Sequence, residues 1–169
     1  TALPLLSRYF AEKNMEDMVV VGVDIGISKR ARDMAERLGA PLAIVEKRRV
    51  EGNQDKTELF NIIGDVEGKN AVLMDDEVDT GGSMVSAAKA LMARGALSVS
   101  ATATHGVLSG KALQNFKASP IEELVCTDTV PVPPEKRNGQ VKVISIAALF
   151  GEAIHRIHSG MSVGAMFDD

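Results

Sequence analysis

The sequence predicts an α/β fold built on a mostly parallel sheet, and three observations lead to this prediction. Short runs rich in β-branched residues alternate along the chain with amphipathic helical stretches, which is typical of a parallel α/β sheet. The run Met18–Val23 is apolar throughout, as strands buried on both faces are. The 169 residues contain neither an internal repeat nor a low-complexity linker, so we expect a single domain.

The first strand, Met18–Val23, is followed by the clearest helix of the chain. A stripe of apolar residues recurs at i, i+3, i+4 and i+7, which predicts one buried helix face beginning near Ser28. The stripe consists of Ala31, Met34, Ala35 and Leu38. Gly39 stands where a left-handed helix cap is expected, and Pro41 then opens a second strand over Leu42–Glu46.

The middle of the chain predicts an exposed loop, two strands and a second helix. Lys47–Arg49 and the polar stretch Glu51–Lys56 are expected to form a mobile loop. Strands are predicted at Leu59–Ile63 and Ala71–Met74, joined by a tight connection. An acidic run and a glycine-rich turn come next. The helix after them, which ends near Gly95, has one apolar face formed by Val85, Ala88, Leu91 and Met92.

The C-terminal part predicts three further strands and two helices. The strands are Leu97–Ala103, Ile121–Thr127 and Val141–Ser145. A short helix is expected near Lys111–Phe116, and prolines at 131, 133 and 134 indicate a loop. The last helix ends at Gly160 and has a strong 3.6-residue period formed by Ile146, Leu149, Phe150, Ala153, Ile154 and Ile157. We therefore expect one domain over residues 1–160 and a tail over 161–169.

Composition excludes several classes of function. A net charge of −4 and 4% aromatic residues argue against a nucleic-acid-binding surface. No apolar run reaches the roughly 18 residues that a membrane-spanning helix needs. The single cysteine, Cys126, is expected in the core; it excludes a disulfide framework and fits a reducing, cytoplasmic compartment. Because the chain opens on Thr1 rather than Met, we expect a fragment or a processed product.

The strongest candidate site is the segment Val72–Ser83. Asp75 and Asp76 follow a buried strand and are expected at the carboxyl edge of the sheet, where open α/β folds bind ligands. The loop that follows leads into a helix N-terminus, which favours a phosphate, and it consists of Asp79, Thr80, Gly81, Gly82 and Ser83. A phosphate beside a vicinal diol, as in a ribose phosphate, fits this pattern. A capped helix beside a surface acid cluster is the simpler alternative.

Other candidate residues have two interpretations each. Asp24 follows the first strand and could cap the next helix or hold Mg²⁺. The basic triplet Lys47–Arg49 is either a solvated face or part of a loop that closes over an anionic transition state. His105 lies at a strand end, with turn and mobile-loop roles open. His155 and His158 are expected on a solvated helix face rather than in a metal site.

Five segments of the chain carry a family resemblance when they are taken together. They are VDIGISKRARDMAERLGAPLAIVEKRR, NIIGDVEGKNAVLMDDEVDTGGS, TATHGVLSG, EELVCTDTVPVP and EAIHRIHSGMSV. In this order they resemble the ribose-phosphate pyrophosphokinases, also called phosphoribosyl-diphosphate synthetases, and the resemblance runs from about Leu5 to Phe167. The aspartate loop alone is shared with the type I phosphoribosyltransferases, whereas all five segments in this order are specific.

The resemblance implies a type I phosphoribosyltransferase-like domain, with a twisted, mostly parallel sheet and helices on both faces, that forms the C-terminal half of the enzyme. It implies that the 5-phosphate is held by Asp79, Thr80, Gly81, Gly82 and Ser83. Asp75 and Asp76 would hold the ribose hydroxyls, and Asp24 would be a ligand of the required Mg²⁺. Lys47 and Arg49 would stabilise charge on the transferring group.

The implied reaction transfers the diphosphoryl group of ATP to ribose 5-phosphate, in a homo-oligomer built from dimers into hexamers. We expect the isolated half to bind ribose 5-phosphate without turning it over, because the half that resembles the ATP-binding region is missing. In the tail, Gly164 replaces a serine that helps to bind a regulatory phosphate in the family, which puts that regulation in doubt. A phosphoribosyltransferase that consumes the diphosphate product and a non-catalytic synthetase-associated subunit are the alternatives.

Overall fold

A seven-stranded sheet forms the centre of the molecule, whose structure is a computed structural model that describes residues 1–49, 58–137 and 139–166. The strands are β1 (Met18–Gly22), β2 (Leu42–Arg49), β3 (Glu58–Ile63), β4 (Asn70–Val78), β5 (Ser98–Gly106), β6 (Ile121–Thr127) and β7 (Val141–Ile144). Their spatial order is β3-β2-β1-β4-β5-β6-β7. Only the pairing of β2 with β3 is antiparallel, so the predicted mostly parallel sheet is confirmed.

In the described residues five helices accompany the sheet: α1 (Leu3–Glu12), α2 (Ser28–Leu38), α3 (Gly82–Ala93), α4 (Ala112–Lys117) and α5 (Ala147–His158). Short 3₁₀ turns lie at Pro134–Lys136 and Gly164–Met166. The crossover through α2 runs from β1 towards one edge of the sheet, and the crossover through α3 runs from β4 towards the other. Because such crossovers are right-handed, α2 and α3 cover opposite faces. Among the described residues, no helix is long and apolar enough to cross a membrane.

The core lies where these helices meet the central strands. Val19, Val20 and Val21 of β1 are completely buried, as their unbroken apolar run predicts. Three of the predicted stripe residues of α2 are buried, and the helix ends at Gly39 with φ 61°, which confirms the left-handed cap. The packed centre of the sheet thus fixes the positions at which β1 and β4 end.

Helix α1 is absent from the sequence-based prediction. Leu3, Leu6 and Phe10 are spaced for one helix face and are buried, and Pro4 lies in the first turn, where proline is tolerated. The spacing was present in the sequence, but the apolar opening lacks a polar N-cap residue. α1 packs on α2.

Three strands extend further than their composition predicts, since pairing with neighbours continues into polar sequence. β2 includes Lys47–Arg49, which we expected to begin a loop, and these residues pair with β3. β4 continues through the acidic run to Val78 because it pairs with β5, whose predicted end at Ala103 moves to Gly106. Hydrogen bonding to a neighbouring strand, not side-chain polarity, decides where these strands end. The mobile loop expected over Glu51–Lys56 lies outside the described residues.

The predicted last helix forms as α5, but its apolar face is exposed. None of its residues is buried against the described part of the chain, and Phe150, Ile154 and Ile157 are 56%, 65% and 68% exposed. A helical period shows that a face is apolar and does not show what covers it. Met92 of α3, which we placed on the buried face, is likewise exposed.

A buried carboxylate joins α1 to strands β6 and β7, at one edge of the sheet. Glu123 of β6 accepts a hydrogen bond of 2.8 Å from the Tyr9 hydroxyl and one from the Lys13 ammonium group, and Lys142 of β7 lies 3.7 Å from it. Burial alone would raise the pKa of Glu123, but the hydrogen bonds from Lys13 and Tyr9 outweigh burial and hold it below 4.5. Glu123 therefore stabilises the docking of α1 as a carboxylate.

We expect Glu123→Gln to lower the free energy of unfolding at pH 7 by about 1.5–3 kcal/mol, because a charge-assisted hydrogen bond is lost. A carboxylate whose pKa is lowered on folding contributes stability above its ordinary value of 4.5 and loses it as pH falls through the folded value. Urea unfolding at pH 7 and in acid therefore shows a difference that shrinks in acid. Glu122→Gln, on an exposed neighbour, is the control; equal losses in both variants would contradict this role.

Candidate functional site

The candidate site lies at the point where the direction of strand succession reverses. β1 and β4 are parallel neighbours, with Gly22 opposite Met74. After β1 the chain moves towards β2, and after β4 it moves towards β5, so the two connections diverge. Such a switch point opens a crevice at the carboxyl ends of the strands, where open α/β sheets bind ligands.

Three carboxylates gather at this crevice. Asp24 follows β1, and Asp75 and Glu77 lie in β4 with side chains on one face of the strand, because alternate residues share a face. Burial first, and then the charges of Asp24 and Glu77, raise the pKa of Asp75 from 3.8 to about 6. The site thus holds more negative charge than its own residues balance.

Asp24 stabilises the turn that precedes α2 but does not cap the helix. Its Oδ1 accepts a hydrogen bond of 3.1 Å from the backbone N–H of Ile27, which is the N-cap residue of α2 and forms no side-chain cap hydrogen bond itself. The Asp24 side chain is exposed. This turn hydrogen bond is compatible with binding a metal ion, since a carboxylate has two oxygens, and the role of Asp24 as a Mg²⁺ ligand stays a prediction.

Asp75 and Asp76 point to opposite faces of β4. Asp75 lines the cleft beside the glycine-rich loop, whereas Asp76 forms an ion pair with Arg30 of α2. Neither this alternation nor the contribution of Glu77 entered the sequence-based site, because we expected the strand to end at Met74. A strand period continued through the acidic run would have indicated both. The assignment of Asp76 to a ribose hydroxyl stays a prediction.

The glycine-rich loop, Asp79–Ser83, connects β4 to α3 and forms most of a cleft of about 290 Å³. Gly81 is the N-cap of α3 and has φ 75°, a conformation that side chains disfavour. It also lacks room for a side chain, since a Cβ atom there would lie 2.7 Å from Cε2 of the buried Phe116. Thr80, Gly82 and Ser83 line the cleft beside it, and the first N–H groups of α3 have no partners within the helix, as at any helix N-terminus.

The loop and the carboxylates divide the cleft chemically. The loop end offers hydrogen-bond donors and the positive end of the α3 dipole, which favour an anion. The β4 end offers Asp75 and Glu77, which accept hydrogen bonds from hydroxyls or bind a cation. A ligand that carries an anionic group at one end and hydroxyls or a cation at the other fits both ends.

Lys47 and Arg49 lie at the end of β2, which pairs with β3 to form an arm that extends beyond the carboxyl end of β1. Gly22 at the end of β1 is opposite Ile44 of β2, so at about 3.3 Å per residue Lys47 lies roughly 10 Å further along. Lys47 is exposed and pairs with Phe60 in β3. It is not among the described residues that line the cleft. The side chain of Arg49 lies outside the described part of the structure, and both assignments stay predictions.

The remaining candidate residues, His105, Cys126, His155 and His158, lie outside the cleft. His105 lies within β5, and its Nδ1 is 2.8 Å from the Thr129 hydroxyl. Cys126 is buried as predicted, and burial raises its thiol pKa to about 11, which leaves it unreactive. In the described residues, no group of three His, Cys, Asp or Glu side chains could by itself enclose a metal ion, including the pair His155 and His158.

Comparison with known proteins gives one family for this chain. The model of the phosphoribosyl synthetase-associated domain matches residues 54–168. The ribose-phosphate pyrophosphokinase of Caldanaerobacter subterraneus is 54% identical over 165 residues, which are 97% of this chain and 52% of that protein. That of Clostridium acetobutylicum is 47% identical over 169 residues, again 52% of its length. The chain spans about half the length of these curated relatives.

Solved structures agree on the fold. The phosphoribosylpyrophosphate synthetase of Mycobacterium smegmatis is similar with a TM-score of 0.84 and 37% identity over 94% of this chain and 51% of that one. The orotate phosphoribosyltransferase of Aeropyrum pernix has a TM-score of 0.58 at 21% identity over 91% of this chain and 74% of that one. The second likeness concerns the fold alone, and together they confirm the predicted type I phosphoribosyltransferase-like architecture.

The charge crowding at Asp75 predicts a pH dependence. A carboxyl group whose pKa is raised on folding binds its proton more tightly in the folded state, so the folded state loses stability as pH rises from 3.8 to about 6. We expect Asp75→Asn to raise the free energy of unfolding at pH 7.5 by about 2 kcal/mol, which is the pKa difference converted to free energy and reduced because the half-buried side chain is screened by solvent, and this gain to vanish below pH 3.8.

Urea unfolding across this pH range, together with NMR titration of the Asp75 carboxyl carbon, measures the effect. Glu36→Gln, on the exposed side of α2, is the matched control and should change little. An Asp75 pKa of 4 or below, with no gain in the Asn variant, would contradict the charge crowding.

Proposed function

The chain belongs to the phosphoribosyl synthetase-associated domain family, that of its ribose-phosphate pyrophosphokinase relatives, and we propose that it is the C-terminal, sugar-phosphate-binding half of such an enzyme. In the proposed reaction the anomeric hydroxyl oxygen of ribose 5-phosphate attacks the β-phosphorus of ATP. The bond from that phosphorus to the α–β bridging oxygen breaks, and AMP leaves. The products are 5-phosphoribosyl 1-diphosphate and AMP.

The observation that carries this proposal is the chemical division of the cleft. Asp79–Ser83 would bind the 5-phosphate through N–H groups and hydroxyls, and Asp75 would accept hydrogen bonds from the ribose hydroxyls. A dianionic phosphate is repelled by carboxylates, whereas a vicinal diol donates to them, so the ligand has one favoured orientation. Asp76, which forms an ion pair with Arg30, would accept a hydrogen bond from a ribose hydroxyl from the other face of β4.

Mg²⁺ fits the same end of the cleft. The carboxylates Asp24, Asp75 and Glu77 crowd negative charge there, as the raised pKa of Asp75 shows, and a bound cation would relieve it. Mg²⁺ typically takes one or two carboxylates and completes its shell with water and substrate oxygens, so a complete protein cage is not needed. Asp24 and Asp75 would hold it, and it would supply neutralisation of charge on the diphosphoryl group.

Lys47 and Arg49 would act from the β2–β3 arm. Their cationic side chains would stabilise negative charge on the transferring group, and the protein would contribute positioning and electrostatics rather than a covalent step. We propose that the nucleotide is bound largely by the other half of the enzyme, since this chain spans about half of its relatives. The isolated chain would then bind ribose 5-phosphate without consuming ATP.

The setting of the whole enzyme belongs to the same proposal. It would be a cytoplasmic homo-oligomer that binds neither nucleic acid nor membrane, and its substrates would be ribose 5-phosphate and ATP. The relatives are ribose-phosphate pyrophosphokinases, which supports this reaction class for those proteins. The boundary between a domain over residues 1–160 and a tail over 161–169 stays a prediction.

Calorimetric titration of ribose 5-phosphate with Mg²⁺ into the purified chain tests the site. We expect saturable binding at one site, and loss of at least a hundredfold in affinity in the double variant Asp75→Asn/Asp76→Asn. The double variant replaces the charged acceptors for the diol by neutral amides, which have one acceptor oxygen each, and it removes one carboxylate ligand of the metal. Each charged hydrogen bond is worth about 1.5–3 kcal/mol, which is about tenfold or more in affinity.

Glu36→Gln, which removes one exposed carboxylate away from the cleft, serves as the variant control, and ribose without phosphate serves as the ligand control. We expect Glu36→Gln to bind like the wild type and ribose to bind at least a hundredfold more weakly than its phosphate. A chain that is folded by circular dichroism yet binds no ribose 5-phosphate would overturn the proposed site. So would equal affinity in the wild type and the double variant.

A further inference from the structure

We propose that Ser109 and Asn115 are positioning residues that orient the loop Asp79–Ser83 for anion binding, an inference that rests on the proposed function of that loop. Both residues belong to the segment between the end of β5 and the end of α4, residues 106–117, here called the brace. The brace runs alongside the loop and contacts it through backbone, side-chain and ring contacts. Sequence analysis assigned no role to either residue.

Three successive carbonyl groups, at the end of β4 and in the loop, accept hydrogen bonds from the brace. The Val78 carbonyl accepts from the N–H of Leu108 at 3.0 Å, and the Asp79 carbonyl accepts from the N–H of Ser109 at 3.1 Å. The Thr80 carbonyl accepts from the side-chain amide of Asn115 at 2.9 Å. The carbonyls of residues 78, 79 and 80 are therefore all directed towards the brace.

This arrangement determines where the N–H groups of the loop point. In a trans peptide the C=O and N–H bonds of one unit are antiparallel, and the described residues contain no cis peptide. The N–H groups of residues 79, 80 and 81 consequently point away from the brace. No backbone hydrogen bond is found for them in the described residues, and the cleft on that side is lined by the loop and β4, without brace residues. The donors are thus held ready for an anion.

The side chain of Ser109 adds a second effect. Its hydroxyl donates a hydrogen bond to the Asp79 carboxylate, which holds that carboxylate towards the brace. A carboxylate facing the cleft would repel a bound phosphate, since like charges 4 Å apart repel even in water. Asp79 thus supports the loop through its side chain and contributes to anion binding through its backbone N–H group.

The brace is itself firmly anchored. Leu108 is buried and has φ 52°, a strained conformation for a non-glycine residue that persists only where the surroundings impose it. The Lys136 ammonium group donates to the Leu108 carbonyl at 2.8 Å. Phe116 of α4 is completely buried and packs against Gly81. The loop therefore packs against a segment whose own position is fixed by the core.

Calorimetry with ribose 5-phosphate and Mg²⁺ on Asn115→Ala, Ser109→Ala and the wild type tests this inference. We expect each alanine variant to raise the Kd about tenfold, the equivalent of 1.4 kcal/mol, because the freed loop must be ordered on binding. Gln114→Ala, an exposed neighbour on α4, should leave the Kd unchanged. Ser109→Thr keeps the hydroxyl and should bind within twofold of the wild type.

Thermal unfolding without ligand separates positioning from loss of structure. Ser109 and Asn115 are only partly buried, so we expect midpoints within 2 °C of that of Gln114→Ala. Wild-type affinity in both alanine variants, or an equal loss in Ser109→Thr, would overturn the positioning role while leaving the proposed function intact. Absence of binding by the wild type would instead overturn the proposed function.

Discussion

The reversal of strand order between β1 and β4 is the constraint on which the rest of the structure depends. Because right-handed crossovers carry the chain outward in opposite directions from these two neighbours, neither the α2 crossover nor the α3 crossover covers their carboxyl ends. Asp24 and Asp75 meet in the resulting crevice, and the loop Asp79–Ser83 reaches it from the same strand. The core strands, buried on both faces, hold this edge rigid while the side chains beyond it remain open to a ligand.

A group that favours a cation or hydroxyls and a group of donors that favours an anion lie a few residues apart along β4 and the loop Asp79–Ser83. Asp75 carries a carboxylate whose pKa is raised to about 6, which is an unfavourable arrangement in the absence of a cation or hydroxyl donors. The following turn offers N–H groups without intramolecular partners in the described residues, which the brace keeps directed into the cleft. A bound sugar phosphate and Mg²⁺ would relieve the charge crowding at Asp75 and supply acceptors for these N–H groups, and both effects would favour binding. Stability is given up at the site, whereas Glu123 and the core supply it elsewhere.

The sequence predicted those parts of the fold that depend on local pattern. β6 was predicted with its observed bounds, and α2 with its glycine cap, because an apolar run and a helical stripe are local signals. The true ends of β2, β4 and β5 depend on hydrogen bonds to neighbouring strands, which composition does not encode. The exposure of α5 depends on what packs against it. Asp75 and the loop could be found from motif and position, whereas the pairing of Asp76 with Arg30 and the brace required the register and the tertiary contacts.

In the proposed site the backbone of Asp79–Ser83 binds the 5-phosphate of the sugar. An NMR titration of the ¹⁵N-labelled chain with ribose 5-phosphate and Mg²⁺, with ribose as the parallel titrant, tests this binding directly. We expect the largest amide shifts at residues 79–83 with ribose 5-phosphate and no such shifts with ribose. Saturable shifts centred elsewhere, or the same shifts with both sugars, would contradict binding of the phosphate by this loop.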